Sequence, residues 1–431
     1  MEKDINICLS TDDNYIHHTA VVVASILSNA QNRDSYHFYI LSTRLSSENK
    51  KKFNKLKKIK NCKIDYIDID EKTLSSFKSV KMHSHLSLAT YNRLLIPLLF
   101  PHLDKMIYLD YSATTPVNEE VLSSFVKATK NYIGNPNSLH KLGVESNKLI
   151  NDATKQISDI LNVKPNEIIY TSGASEANNL AIKGICLRNN KRKHIITTEL
   201  EHSSVIGPCS YLQKLGYEVD FVKLDENGIV DLNDLKKLIK EDTILVSIAS
   251  VNSEVGVLQP INEIGKLIKE VNKNTYFHSD ITQSVGKVKI NLDYVDLASF
   301  SAQKFYGLKG VGCLIKKENI VLEPLIHGGK STTVYRSGTP ALGLIVSTAK
   351  ALRLAYLDFD KKYDYVSFLN KYLKEELLKI NKVHINSNSY CVPHIVNISI
   401  ENIKPETMQH ALEQDNIYVS TQTAFLPFNS S

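Results

Sequence analysis

Short apolar runs of β type alternate with helical stretches along most of the chain, and that alternation constrains the fold more than any other feature. The β-type runs fall at 5–9, 37–41, 63–69 and 106–109. Others follow at 167–170, 194–197, 218–222, 243–249, 276–279, 297–300 and 311–315. In 147–161, Ile150, Ala153, Ile157 and Ile160 make one stripe; in 174–187 the stripe is Ala177, Leu180, Ala181 and Gly184. Recurrence at three and four residues marks an amphipathic helix. Strands joined by such helices build parallel sheets covered on both faces. The last part differs: 348–357 and 363–380 read as long helices, followed by a strand at 394–400, a helix at 405–413 and a strand at 417–420. The expected fold class is α/β with a mostly parallel sheet, plus a small α+β C-terminal domain.

Composition narrows the function classes. At 431 residues the chain has room for two or three domains of about 150 residues. Lys+Arg is 52 and Asp+Glu 46, and a net charge of +6 is too small an excess to argue for nucleic acid. Eight lysines between Lys50 and Lys63 flank Phe53, Leu56 and Ile59 at helical spacing, which reads as a solvated helix face. The first residues, Met1-Glu2-Lys3-Asp4, carry no basic region ahead of an apolar core, and no apolar run reaches the length of a membrane span. The six cysteines form no CxxC pair, which fits a reducing compartment and argues against a zinc knuckle. The expectation is a cytoplasmic protein with no membrane, nucleic-acid or metal partner.

Polar residues gather at five strand ends. Thr171-Ser172-Gly173-Ala174-Ser175-Glu176 follows one strand and opens a helix; Glu201-His202-Ser203-Ser204 follows the next. Asn252 follows the third, Asp280 and Gln283 the fourth, and Ser301, Gln303 and Lys304 the fifth. In an open parallel sheet, ligands bind outside the carboxyl ends of the strands. Each piece also has a plain reading: Ser172 as a helix N-cap, Asp280 as a turn residue, Lys304 as a solvated lysine, His202 as a cap. Taken together they describe a phosphate cup, an acid facing a pyridine nitrogen, a flat imidazole and a desolvated Schiff-base lysine. That set is the description of a pyridoxal phosphate (PLP) site.

The motifs carry a resemblance. Tyr-Leu-Asp-Tyr-Ser-Ala-Thr-Thr-Pro (108–116), Gly-Asn-Pro-Asn-Ser-Leu-His (134–140), Thr-Ser-Gly-Ala-Ser-Glu-Ala-Asn-Asn (171–179) and Glu-His-Ser-Ser-Val (201–205) lie in the first part. Asn-Ser-Glu-Val-Gly (252–256), Phe-His-Ser-Asp-Ile-Thr-Gln (277–283), Ser-Phe-Ser-Ala-Gln-Lys-Phe-Tyr-Gly (299–307) and Arg-Ser-Gly-Thr (336–339) follow. Residues 106–424 thereby resemble cysteine desulfurases, class V aminotransferases of PLP fold type I. The resemblance implies that Lys304 carries the cofactor, that His202 stacks on its ring, and that Asp280 and Gln283 face the ring nitrogen and hydroxyl. It also implies that Asn252 lines the ring and that Ala174, Ser175 and Ser301 hold the phosphate. Thr339 would reach the phosphate from a second subunit, so a homodimer is expected. The family moves sulfur from L-cysteine to a persulfide, leaving alanine, and passes it to an acceptor protein for iron–sulfur cluster assembly.

Three departures stand against the family pattern. Gln303 occupies the place of a histidine, where its amide could still reach the phosphate. Ile326-His327-Gly328-Gly329 continues as Lys330-Ser331-Thr332-Thr333-Val334 rather than Gly-Gln-Glu. Phe425, after Ser420-Thr421-Gln422-Thr423-Ala424, stands where the family has its nucleophilic cysteine, and the segment that carries a carboxylate-binding arginine does not follow. The expectation is therefore an impaired, truncated desulfurase, or a non-catalytic PLP-binding dimer.

The first hundred residues resemble a different family. Ser10-Thr11-Asp12-Asp13-Asn14-Tyr15, a helix at 20–28, Ala89-Thr90-Tyr91-Asn92-Arg93-Leu94 and Asp104-Lys105-Met106-Ile107-Tyr108-Leu109-Asp110 match the N-terminal half of family 8 glycosyltransferases, a partial GT-A-like α/β unit. There Asp12, Asn14, Arg93 and Asp110 would contact a sugar nucleotide, but Tyr111-Ser112 replaces the second carboxylate of the family's Asp-x-Asp metal site. The chain reads as a fusion joined at 107–110, with domains at 1–106, 107–360 and 361–431. A sugar-nucleotide-binding protein is the third reading.

Overall fold

A computed structural model describes residues 4–11, 13, 16–29, 35–42, 45–69, 107–189 and 191–421. The chain divides into two compact units, one of Met1–Ile107 with Glu413–Ile417, the other of Tyr108–Leu412 with Tyr418–Ser431.

In the first unit, β1 (Asp4–Ser10), α1 (Ile16–Asn29), β2 (Ser35–Ser42), α2 (Ser47–Phe53) and β3 (Lys63–Asp68) follow in order. The three strands are parallel and neighbour one another in chain order. Val23 of α1 packs with Phe38 and Ile40 of β2, all three fully buried. The lysine-rich stretch is helical as expected, with Phe53 buried and Lys51 and Lys52 exposed.

The second unit begins with α3 (Glu119–Asn131) and α4 (Lys141–Leu161), then alternates strand and helix. Its members are β4 (Ile168–Thr171), α5 (Ala174–Arg188), β5 (His194–Thr197), α6 (Ser203–Gln213), β6 (Glu218–Phe221), α7 (Leu232–Leu238), β7 (Thr243–Ser247), α8 (Ile261–Val271), β8 (Tyr276–Asp280), β9 (Leu297–Ser301) and β10 (Gly312–Lys316). The sheet order is β4-β10-β9-β8-β7-β5-β6. Every pairing is parallel except those of β10, which runs antiparallel between β4 and β9. Neighbouring residues on one strand enter different cores. Ile168, Ile196, Val246 and Ile315 join α3, α4, α8 and α9 (Leu342–Tyr356) on one face. Ile169, Ile195, Leu245 and Leu314 join α5 and α6 on the other. Burial on both faces is why these strands read as unbroken apolar runs.

The stripe of α4 is Ile150, Ala153, Ile157 and Leu161, with Ile160 turned only partly inward. The end of the unit holds α10 (Phe359–Leu377), the antiparallel pair β11 (Val383–Ile385) and β12 (Ile398–Ile400), and α11 (Pro405–Gln414). The strand expected at 394–400 shrinks to its last three residues. Val392 and Ile395 instead pack on Val251 and Val288, which pulls that segment out of pairing register.

Candidate active site

The carboxyl ends of β4, β5, β8 and β9 bring their polar residues to one edge of the large sheet. α5 begins at Gly173, which offers no side-chain cap, so the first-turn N–H groups keep no internal acceptor. Ser172 is therefore not the N-cap; its own N–H donates to Glu176 Oε2 at 2.7 Å, and Arg336 Nε donates to Glu176 Oε1 at 3.0 Å. Burial raises the Glu176 carboxyl, but these bonds and the guanidinium charge leave it below its ordinary value. Ser175 is exposed on that first turn beside Ala174. The turn sits close to β10 because position 312 is glycine: a Cβ there would lie 2.5 Å from the Gly173 carbonyl carbon.

Lys304 follows β9 on a short 3-10 turn. Its Nζ donates to the carbonyls of Ser112 (2.5 Å) and Ala113 (2.7 Å). Burial lowers its pKa, while Asp280 and Asp110 pull it back up. Asp110, expected from sequence at a sugar-nucleotide site, also acts as a charge on this lysine, and its buried Oδ1 has no hydrogen-bond partner among the described residues. Asp280 ends β8 and is buried; its Oδ1 accepts from Thr282 N and its Oδ2 from Asn178 Nδ2 at 2.7 Å. Gln283 Nε2 donates to the same Ser112 carbonyl at 2.8 Å. Behind it, the ammonium of Lys287 reaches Gln283 Oε1 at 3.4 Å, and burial pushes that amine down to about 7.

His202 caps α6, as the plain reading of that residue expects. Its Nδ1 accepts from Ser204 N at 3.1 Å and meets Ser204 Oγ at 2.7 Å. Burial holds the imidazole below its ordinary pKa; Lys304 adds to this, while Asp280 and Glu254 oppose it. The preceding residue, Glu201, is partly buried, with its carboxyl turned inward. Its Oε1 accepts from Thr198 Oγ1 and Ala249 N, its Oε2 has no partner among the described residues, and burial pushes the carboxyl up to about 8, with Asp280 adding.

The remaining expected residues are placed less tightly. Asn252 staples its own loop, donating to Leu200 O and accepting from Glu254 N and Val255 N. Ser301 Oγ donates to Val311 O at 3.3 Å. Gln303 lends its carbonyl to Thr115, and among the described residues its side chain has no partner. Thr339 is exposed after Gly338. Asp12, Asn14, Arg93 and Phe425 lie outside the described residues. Sequence reasoning placed Glu201 and Ser204 at a strand end without giving them a role, and did not single out Asn178 or Lys287. Asn178 sits within a matched motif, and only the inward spacing of α5 signals it.

Comparison with known proteins extends this picture. The aminotransferase class-V family pattern matches residues 107–424, and the glycosyl transferase family 8 pattern matches residues 6–116. The chain is 41% identical over 323 residues to a cysteine desulfurase IscS of Dictyoglomus turgidum, covering 74% of this chain and 82% of that one. It is 39% identical over 325 residues to a cysteine desulfurase IscS of Methanosarcina thermophila (74% and 80% covered). Among solved structures, a NifS-like protein superposes with a TM-score of 0.72 at 37% identity, covering 73% of this chain and 87% of that one. The protein SspA in complex with cysteine superposes at 0.66 with 31% identity (74% and 90% covered).

Proposed function

From the premise that the chain belongs to the class V aminotransferases, the PLP-dependent family of the cysteine desulfurases, we propose that the edge of its large sheet binds PLP and takes L-cysteine as substrate. One observation carries the reading. An uncapped helix N-terminus, a buried carboxylate, and a half-buried amine and half-buried imidazole that both have lowered pKa values meet at the carboxyl ends of neighbouring strands. This donor set fits the group. Free N–H groups at a helix start suit a phosphate, and the Asp280 carboxylate suits a protonated pyridine nitrogen. Bound there, PLP supplies an electron sink for the α-carbon of an amino acid.

The chain's own residues have separable tasks. Ala174 and Ser175, with Ser301, Gln303 and Thr339, hold the phosphate; Gln283 and Asn252 orient the ring. Lys304 Nζ is the amine that carries the cofactor and moves a proton once released, and its lowered pKa raises the neutral fraction it needs. His202 stacks on the ring and exchanges protons at its edge. Thr339 serves a second subunit, so the working form is a homodimer, cytoplasmic, that hands sulfur to an acceptor protein. We assign 1–106 to the glycosyltransferase-like fragment, 107–360 to the PLP domain and 361–431 to the small domain.

Sulfur transfer is the weak step. A thiolate must receive the sulfur, and Phe425 has none. The protein therefore binds PLP and releases little sulfur, and Phe425 favours the non-catalytic dimer as the second reading. Absorbance of the purified chain tests this. A near-visible band that borohydride bleaches, absent from Lys304→Ala, is expected. A chain that stays colourless after added PLP would refute the cofactor reading, and sulfide release well above Lys304→Ala would refute the impairment.

A further inference from the structure

Four polar groups run in line from Asp280 to His202, and their donor and acceptor roles are forced. A carboxylate only accepts, so the Asn178 atom 2.7 Å from Asp280 Oδ2 is the amide nitrogen. The same nitrogen lies 2.8 Å from Ser204 Oγ and donates to it. Ser204 Oγ lies 2.7 Å from His202 Nδ1, and it is the donor there if Nδ1 is an acceptor. The Ser204 main-chain N–H, which can only donate, also reaches Nδ1 at 3.1 Å. Asn178 Oδ1 is buried without a partner among the described residues, so the amide's orientation is set by Asp280 and Ser204.

We infer that Asn178 and Ser204 are positioning residues that carry the orientation imposed by Asp280 to His202 and keep its proton on Nε2. The catalytic meaning of this rests on the PLP reading above. With Nδ1 filled by two donors, any proton His202 gives or takes passes through Nε2. Protonating Nδ1 would set N–H against N–H at the Ser204 backbone and turn the serine hydroxyl proton away from the ring. The charged groups that face the imidazole are Asp280 from β8, Lys304 from the turn after β9 and Glu254 from the loop after β7. The hydrogen bonds at Nδ1 come from the Ser204 hydroxyl and main chain, so the tautomer is the work of Ser204, held by Asn178.

The test is a long-range proton–nitrogen correlation spectrum of the full chain labelled with 15N-histidine, with His202 assigned by its disappearance in His202→Gln. The expected signature is an unprotonated Nδ1 and a protonated Nε2. Ser204→Ala removes one donor and leaves the backbone one, so His202 should titrate about half a pH unit to one pH unit higher, as loss of one hydrogen bond implies. Ser204→Thr restores the hydroxyl and should restore the wild-type titration. A protonated Nδ1 in the wild-type chain overturns the inference whether or not any variant folds, as does an unchanged titration in Ser204→Ala. The near-visible band is read separately. A colourless chain with the expected tautomer removes the PLP reading and leaves the tautomer assignment standing; a coloured chain with Nδ1 protonated does the reverse.

Discussion

Both units of this molecule are built on mostly parallel sheets flanked by helices, yet they place polar residues in opposite ways. In the small unit the loop after β1 turns its carboxylate inward on the backbone. Asp13 accepts from Ser46 N at 3.0 Å and from Asn49 Nδ2 at 2.8 Å, and those bonds hold the carboxyl below its ordinary value. The side chain is used up in pinning the start of α2. In the large unit, by contrast, Asp110 Oδ1, Asn178 Oδ1 and Glu201 Oε2 are buried with no hydrogen-bond partner among the described residues. Unsatisfied buried polar atoms are costly and scarce in native proteins. Their concentration at one sheet edge teaches that this edge is kept for chemistry, while the polar residues at Asp13 are kept for the fold.

The contrast can be broken most sharply at Lys304. Replacement by Ala should remove the near-visible absorbance completely and leave the melting temperature of the cofactor-free chain nearly unchanged, measured by calorimetry. A large stability loss would mean that the two carbonyl bonds to Ser112 and Ala113 serve the fold instead. Next in size is Gly312→Ala. The added Cβ meets backbone at 2.5 Å from Gly173 and 2.8 Å from the Phe300 oxygen. The strand must shift, at a cost of about 2–3 kcal/mol in urea unfolding, with weakened phosphate binding because the start of α5 moves.

Glu201→Gln should give a smaller, pH-dependent effect. The carboxyl, pushed up to about 8 in the fold, binds a proton that the unfolded chain has lost above its ordinary value. The stability it contributes is full at low pH and is lost as pH rises through about 8. The amide has no such slope, so the variant should match the wild type near pH 5. Near pH 9 it should be more stable by roughly 1–3 kcal/mol. Equal slopes would show that Glu201 is ionised in the folded chain. The smallest effect is expected at Asp13→Ala: a slight drop in melting temperature at the edge of detection, with no change in cofactor absorbance.

Part of this was legible in the chain. Asp280, Lys304 and His202 could be found because a strand leaves a clear apolar run and its end is a defined place, so a charged residue there stands out. The paired carbonyls of Ser112 and Ala113 could not, since backbone acceptors carry no residue signature. The link from Asn178 to Ser204 depends on how α5 packs against α6, which no local pattern encodes. The direction of β10 was equally hidden, because an apolar run at 311–315 looks the same whichever way it enters a sheet. Ser172 looked like a cap by residue type, and the Glu176 carboxylate took its N–H instead.

The insertion of β10 between β4 and β9 also sets an order of events during synthesis. Among the described residues β4 has no other partner in the sheet, and β10 ends at Lys316. The strand that leads into the start of α5 therefore has no edge to join until the ribosome has made residues far beyond it. Such long-range pairing is slow and leaves strand edges open meanwhile. β1, β2 and β3 pair in the order in which they are made, so the small unit's sheet can close while the wall of the active site is still waiting for its neighbour.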